Sequence, residues 1–171
     1  YGRFSGVMET LPPKQLMEDA LTLNAGTLAR HDIRVEQHYE PVPPITVDKH
    51  KVLQILLNLI NNARYACSEH TYADPDKTRK IISLYLFSTK GNRVCLQVKD
   101  NGMGIKKENL VRIFQHGFTT RKSGHGFGLH SGALAAKELG GSLTVHSDGP
   151  DQGATFILEL PCQSSVNGQE E

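Results

Sequence analysis

The chain has 171 residues, enough for one domain that buries roughly 70% of its unfolded surface without covalent staples. Nineteen Lys and Arg against 18 Asp and Glu leave a formal net charge of +1, which supplies no field for gripping nucleic acid or an anionic membrane. Three cysteines, Cys67, Cys95 and Cys162, form neither a CxxC pair nor a His-containing metal spacing, and the odd count favours free thiols in a reducing, cytoplasmic setting. No apolar run approaches bilayer length and the first residues lack signal-peptide order, so direct membrane contact is expected only through segments outside this one.

Residues 1–10 show no period and Pro12-Pro13 closes them, so residues 1–13 read as a linker or the remnant of a preceding element. Leu16, Met17, Ala20, Leu21, Leu23 and Leu28 have helical spacing over residues 14–30, with Gly26 and Thr27 as weak points. Ile33, Val35, Gln37 and Tyr39 alternate as in a strand, and Pro41, Pro43 and Pro44 stop regular pairing. Asp48 is a good N-cap for the strongest helix, which runs to about Cys67 through Val52, Leu53, Leu56, Leu57, Leu59, Ile60 and Ala63.

After a polar loop over residues 68–79, Ile82-Leu84-Leu86 and Val94-Leu96-Val98 alternate around Lys90-Gly91-Asn92, the pattern of an antiparallel hairpin. A short helix is predicted over residues 106–113, and a Gly-, Thr- and Lys-rich stretch over 115–127 reads as a mobile loop or lid. Residues 129–139 are helical in pattern and Gly140-Gly141 ends them. Leu143-Val145 and Phe156-Leu158-Leu160 flank a loop over 148–153, and residues 162–171 form a flexible polar tail.

Four blocks in this order carry chemistry. Asn58 and Asn62 lie one turn apart on one helix face, and their amide oxygens are hard neutral ligands suited to completing a magnesium shell of water and phosphate. The alternative for this pair alone is two polar positions on an amphipathic helix, but strongly apolar neighbours mean that such amides need partners. Asp100-Asn101-Gly102-Met103-Gly104 puts a carboxylate at a strand end, able to accept from the exocyclic amine of adenine, before glycines that let the backbone turn tightly. By itself it is equally an ordinary Asn-Gly turn.

Phe118-Thr119-Thr120-Arg121 brings small hydroxyls and a cation ahead of Gly124-His125-Gly126-Phe127-Gly128-Leu129. There Gly124, Gly126 and Gly128 open a helix whose free N–H groups suit phosphate, or else serve only for mobility. The spacing is neither the dinucleotide fingerprint nor a Walker loop. His31-Asp32-Ile33-Arg34 superficially looks like a phosphoacceptor box, yet Glu36 stands where that box has proline and the segment reads as a strand. His116, His125 and His130 gather near the lid without metal-ligand surroundings, so surface or hydrogen-bonding roles are the expectation.

Assembled, residues 14–161 resemble the ATP-binding catalytic domain of bacterial sensor histidine kinases, in the superfamily shared with gyrase, heat-shock chaperone and mismatch-repair ATPases. The resemblance implies an α+β fold of Bergerat type, a two-layer α/β sandwich whose mixed, mostly antiparallel sheet carries helices on one face and a flexible ATP lid. It implies ATP and Mg2+ as cofactors. Asn62 matches the magnesium-coordinating amide, Asn58 the polar residue approaching the phosphates, and Asp100 the adenine-reading carboxylate, with Gly102 and Gly104 shaping its turn. Thr155 resembles the hydroxyl of the adenine water network, and Arg121 falls at the basic position after Phe118, Thr119 and Thr120. Gly124, Gly126, Phe127, Gly128 and Leu129 match the lid and the phosphate-facing helix.

The ATPase branches place a glutamate where this chain has Asn58, which cannot act as a general base, so transfer to a histidine is favoured over attack by water, with Asn58 and Arg121 as the catalytic candidates. Many family members carry Lys or Arg where Tyr65 stands, and Arg64 projects about 100° away. The implied partners are a phosphoacceptor dimerisation hairpin of the same full-length protein, of which residues 1–13 would be a remnant, and a response-regulator receiver domain. The competing readings are a nucleotide-dependent regulatory or docking module without competent transfer, and a slow ATPase.

Overall fold

The computed structural model describes residues 6–74, 79–115, 117–118 and 127–162. Strand β1, Met8–Leu11, lies within the segment expected to be a linker and pairs antiparallel with β3, Ile45–Asp48, placing Met8 opposite Asp48. Neither four-residue strand has a period of its own to announce it. Each exists because Leu11, Ile45 and Val47 are buried on the common core while the backbones satisfy one another. Between them, helix α1, Pro13–Arg30, starts with proline at its first turn, where the missing N–H is no loss, and buries Leu16, Met17, Ala20 and Leu28. Strand β2, Ile33–Tyr39, follows.

Helix α2, Lys49–Ser68, begins where the sequence places it: Asp48 Oδ1 accepts from the Lys51 N–H at 3.3 Å. Its apolar stripe, Val52, Ile55, Leu56, Leu59, Ile60, Ala63 and Cys67, is buried along its whole length. Because β2 and β4, Lys80–Thr89, run parallel, the chain needs a long crossover between them, and α2 lies within it. Strand β5, Arg93–Asp100, returns antiparallel to β4 through a turn in which Gly91 and Asn92 both take positive φ, 86° and 64°.

The short helix α3, Lys107–Leu110, is half the predicted length, and turns continue from it to Gln115. Helix α4, Phe127–Glu138, begins two residues earlier than its apolar pattern. Strands β6, Ser142–His146, and β7, Ala154–Pro161, complete a five-stranded sheet ordered β2-β4-β5-β7-β6, antiparallel except at β2-β4. Alternation sends Ile82, Leu84, Leu86, Val94, Leu96, Val98, Phe156, Leu158 and Leu160 to the face covered by α1, α2 and α4. The result is the predicted two-layer α+β sandwich. Its inner face ends, at the same edge of β5 and β7, in Asp100 and Ala154.

Candidate functional site

Asp100 occupies the last position of β5, in register with Ile82 on one side and Ala154 on the other. It therefore belongs to the inward row of Val94, Leu96 and Val98, and only 3% of it is exposed. The Gly102 N–H donates to Oδ1 at 2.8 Å, and the Ala154 backbone N–H also donates to the carboxylate. Burial outweighs both bonds and pushes the Asp100 carboxyl up to about 6. A carboxylate offers about four acceptor directions, so capacity remains for a donor brought by a ligand.

The turn after Asp100 is fixed by close backbone approaches on two sides. A Cβ on Gly102 would collide with the Ala66 carbonyl of α2, to which the Met103 N–H donates at 3.1 Å. Gly104, at φ +74°, passes against the Gly149 carbonyl, and only glycine combines that dihedral with that contact. Loop 147–153 is then stitched along the turn, the Asp151 N–H donating to Met103 O (2.8 Å) and the Gly153 N–H to Gly102 O (3.2 Å).

Asn101 has a role that sequence reasoning missed. Its Oδ1 accepts from the Ile81 N–H (2.9 Å), the Tyr72 hydroxyl (3.2 Å) and the Cys67 thiol (3.7 Å), and its Nδ2 donates to Arg79 O (2.8 Å). Burial pushes the Cys67 thiol and the Tyr72 hydroxyl up, keeping both as proton donors. The Asn-Gly pair after a strand signalled a turn; nothing in it signalled that the amide would tie α2, β4 and the 70–80 segment together.

On α2, Asn58 reaches α4: its Nδ2 donates to Gly128 O at 3.5 Å, and a Cβ on Gly128 would lie 3.2 Å from Asn58 Cγ. The first and last sequence blocks thus meet, in a contact that a side chain at Gly128 would tighten. Asn62 stands one turn further along, half-buried. Arg64 turns toward the end of α1, donating to Asn61 Oδ1 through Nε (3.2 Å) and Nη2 (3.0 Å) and lying 3.4 Å from His31 Nε2.

The other ring nitrogen of His31, Nδ1, faces Ser68 Oγ at 3.1 Å. His31 is the C-cap of α1, and the residues after it enter β2, the strand expected of this segment. His130 Nδ1 lies 3.0 Å from Phe114 O, consistent with the hydrogen-bonding role expected of it.

Phe118 packs on the core beneath the Arg112 guanidinium, 4.8 Å from its ring centroid, Leu129 packs on the same core from α4, and Phe127 opens that helix. Thr119, Thr120, Arg121, Gly124 and Gly126, with His116 and His125, lie outside the described residues. Thr155 requires a correction. Its register partners are Lys99 and His146, so strand alternation turns it to the sheet face opposite Asp100. The residue beside Asp100 is Ala154, which contributes a backbone N–H and no hydroxyl. A cavity of about 670 Å³ opens beside the turn, between Glu69, His70 and Thr71 at the end of α2, Met103 to Lys106, and Pro150 with Asp151.

A buried carboxylate on a glycine-shaped turn, beside a helix whose Asn58 meets the start of another, is the arrangement expected of the ATP-binding catalytic domains of sensor histidine kinases. A sequence family described as "Histidine kinase-, DNA gyrase B-, and HSP90-like ATPase" matches residues 47–164, and the chain belongs to that family. It is 30% identical over 147 residues to the sensory histidine kinase/phosphatase NtrB of Rhizobium meliloti strain 1021, an alignment spanning 81% of this chain and 38% of NtrB. It is 33% identical over 154 residues to the signal transduction histidine-protein kinase AtoS of Escherichia coli K12, covering 89% of this chain and 24% of AtoS.

The chain therefore spans well under half the length of these relatives. Among solved structures, full-length ShkA in complex with AMPPNP superposes with a TM-score of 0.78 at 24% identity, over 92% of this chain and 32% of ShkA. The nucleotide-free catalytic domain of histidine kinase ThkA superposes at 0.77 and 22%, over 91% of this chain and 97% of that domain. At these identities the superpositions show the shared fold.

Proposed function

We propose that this domain binds Mg-ATP and transfers its γ-phosphoryl group to a histidine on a helical hairpin of the same full-length protein, from which a receiver domain takes it. The observation that carries the reading is Asn58. The position from which the superfamily's hydrolases activate water holds an amide engaged with the backbone of α4, and an amide cannot accept the proton of an attacking water. The acceptor imidazole brings its own lone pair. Its nitrogen bonds to the γ-phosphorus, the bond to the bridging oxygen breaks, ADP leaves with that electron pair, and the imidazole N–H proton passes to solvent.

The domain's part is positioning. Asp100 orients the base, and α4 with its glycine start receives the phosphates beside Asn58. Arg121 is the cation assigned to the phosphates. Magnesium, when bound, neutralises charge on the transferring phosphoryl group. Among the described residues no cluster of three or more His, Cys, Asp or Glu could hold a metal ion. A neutral amide such as Asn62, with phosphate oxygens and waters, fits the few-ligand habit of Mg2+.

No helix of the described residues is long and apolar enough to cross a membrane. We assign the domain a cytoplasmic working place, which the three free, buried thiols support. The test is titration with ATP, with and without Mg2+. Wild type is expected to bind more weakly once the metal is removed, whereas Asn62→Ala loses roughly tenfold in the presence of metal and little in its absence. Wild-type binding that ignores Mg2+, or no binding at all, contradicts the proposal.

A further inference from the structure

His70 follows the C-cap of α2 and links the end of that helix to loop 147–153. Its Nδ1 lies 3.4 Å from Asp151 Oδ1, and its ring meets the Tyr72 ring edge-on with centroids 4.4 Å apart. Both partners are wired into the base-reading turn. Asp151 donates its N–H to Met103 O at 2.8 Å, and Tyr72 donates its hydroxyl to Asn101 Oδ1 at 3.2 Å. Ser147 gathers the same loop, its Oγ donating to Gly153 O (2.7 Å) and accepting from the Ile105 N–H (3.1 Å). A displacement of Asp151 is therefore passed through backbone bonds to Met103 and Gly102, and from Gly102 to Asp100.

We propose that His70, acting through Asp151, is a positioning residue for the base-reading turn, its protonated form drawing loop 147–153 onto the end of α2 and preorganising Asp100 for adenine. This rests on the Mg-ATP reading above. A protonated imidazole adds a full charge to the contact with the Asp151 carboxylate where the neutral ring offers only a hydrogen bond, so the link is stronger in the protonated form. The imidazole is 12% exposed and the Asp151 carboxylate 75% exposed, which limits the pair to the modest strength of a solvent-screened contact. Glu69 and Lys106 share the cavity lining with His70, one acid and one base, whereas the second acid–imidazole pair, His146 of β6 with Asp148 at 3.1 Å, is exposed on both sides and lines no part of that cavity.

The experiment measures Mg-ATP affinity of the whole chain by calorimetry at about pH 8 and about pH 6.5, for wild type, His70→Gln and Asp151→Asn, with His146→Gln as control. Asparagine tolerates the left-handed backbone of Asp151 (φ 67°), so the loop path is kept. Wild type and both variants are expected to bind alike at the higher pH. At the lower pH wild type should bind about two- to threefold more tightly than either variant, with His146→Gln following wild type. Titration of Asp100 is common to all and cancels in the ratio. A wild-type-to-variant ratio that is the same at both pH values overturns the proposal and leaves His70 a structural contact. Failure of wild type to bind at either pH overturns the nucleotide reading itself.

Discussion

Replacing Asp100 with asparagine is expected to raise stability at neutral pH while weakening Mg-ATP binding roughly ten- to a hundredfold, the worth of one charge-assisted hydrogen bond. The stability gain follows from the carboxyl's position in the inward row of β5, where burial pushes it from 3.8 up to about 6. A carboxyl raised in the folded state contributes stability that is fully present below its unfolded value and lost as pH rises through the folded one. At pH 7 and above the ionised group therefore destabilises the fold, by about 3 kcal/mol for a shift of about two units.

Asparagine has the same shape, keeps an oxygen for the Gly102 and Ala154 N–H groups and carries no charge. Denaturant unfolding should find Asp100→Asn more stable by up to about 3 kcal/mol near pH 7.5, with most of that advantage gone by about pH 4.5. A variant less stable than wild type near pH 7.5, or an advantage that does not shrink with acid, would refute the account of this carboxylate. On the proposed reading, the folded protein holds a costly charge where its nucleotide needs an acceptor, the trade between stability and function expected at a binding site.

Gly102→Ala is the second large effect. The added carbon would meet the Ala66 carbonyl of α2, a helix-backbone atom that cannot rotate away. Either the turn lifts or α2 shifts, and the Met103-to-Ala66 hydrogen bond of 3.1 Å is broken. Overpacking and the lost bond together predict a loss of about 2–4 kcal/mol. Because the Gly102 N–H also anchors Asp100, nucleotide affinity should fall with it. Gly91→Ala is the control: its Cβ meets nothing within 4 Å and only its φ of 86° is unfavourable, so it should lose about 1 kcal/mol and leave binding unchanged. Equal effects from the two substitutions would show that the close approach at Gly102 has no special weight.

Where local chemistry decides the outcome, the sequence was readable. The helix from Asp48 to Cys67, the hairpin around Gly91 and the strand-end carboxylate each announce themselves through a cap, an alternation or a turn residue. Features made by distant partners were not readable. β1 and β3 are four residues each, and 33 residues lie between them. The Asn101 hub depends on four groups brought together from α2, β4 and the segment between them. Thr155 was misplaced because a motif fixes spacing along the chain, whereas the pleat decides the face, and a shift of one residue sends a side chain to the other side of the sheet. Arg64 projects away from the face of Tyr65 as helix geometry requires, and the structure adds its destination, Asn61 and His31.

The most direct test of phosphoryl transfer mixes this domain with the helical-hairpin phosphoacceptor domain proposed for its full-length protein and Mg-ATP labelled on the γ-phosphate. The account predicts acid-labile, alkali-stable label on the hairpin histidine, absent when Asn58→Ala replaces wild type, and none on His31 of the domain alone. Bound nucleotide without any labelled hairpin, or phosphate released to water as fast with the hairpin absent as present, would contradict it.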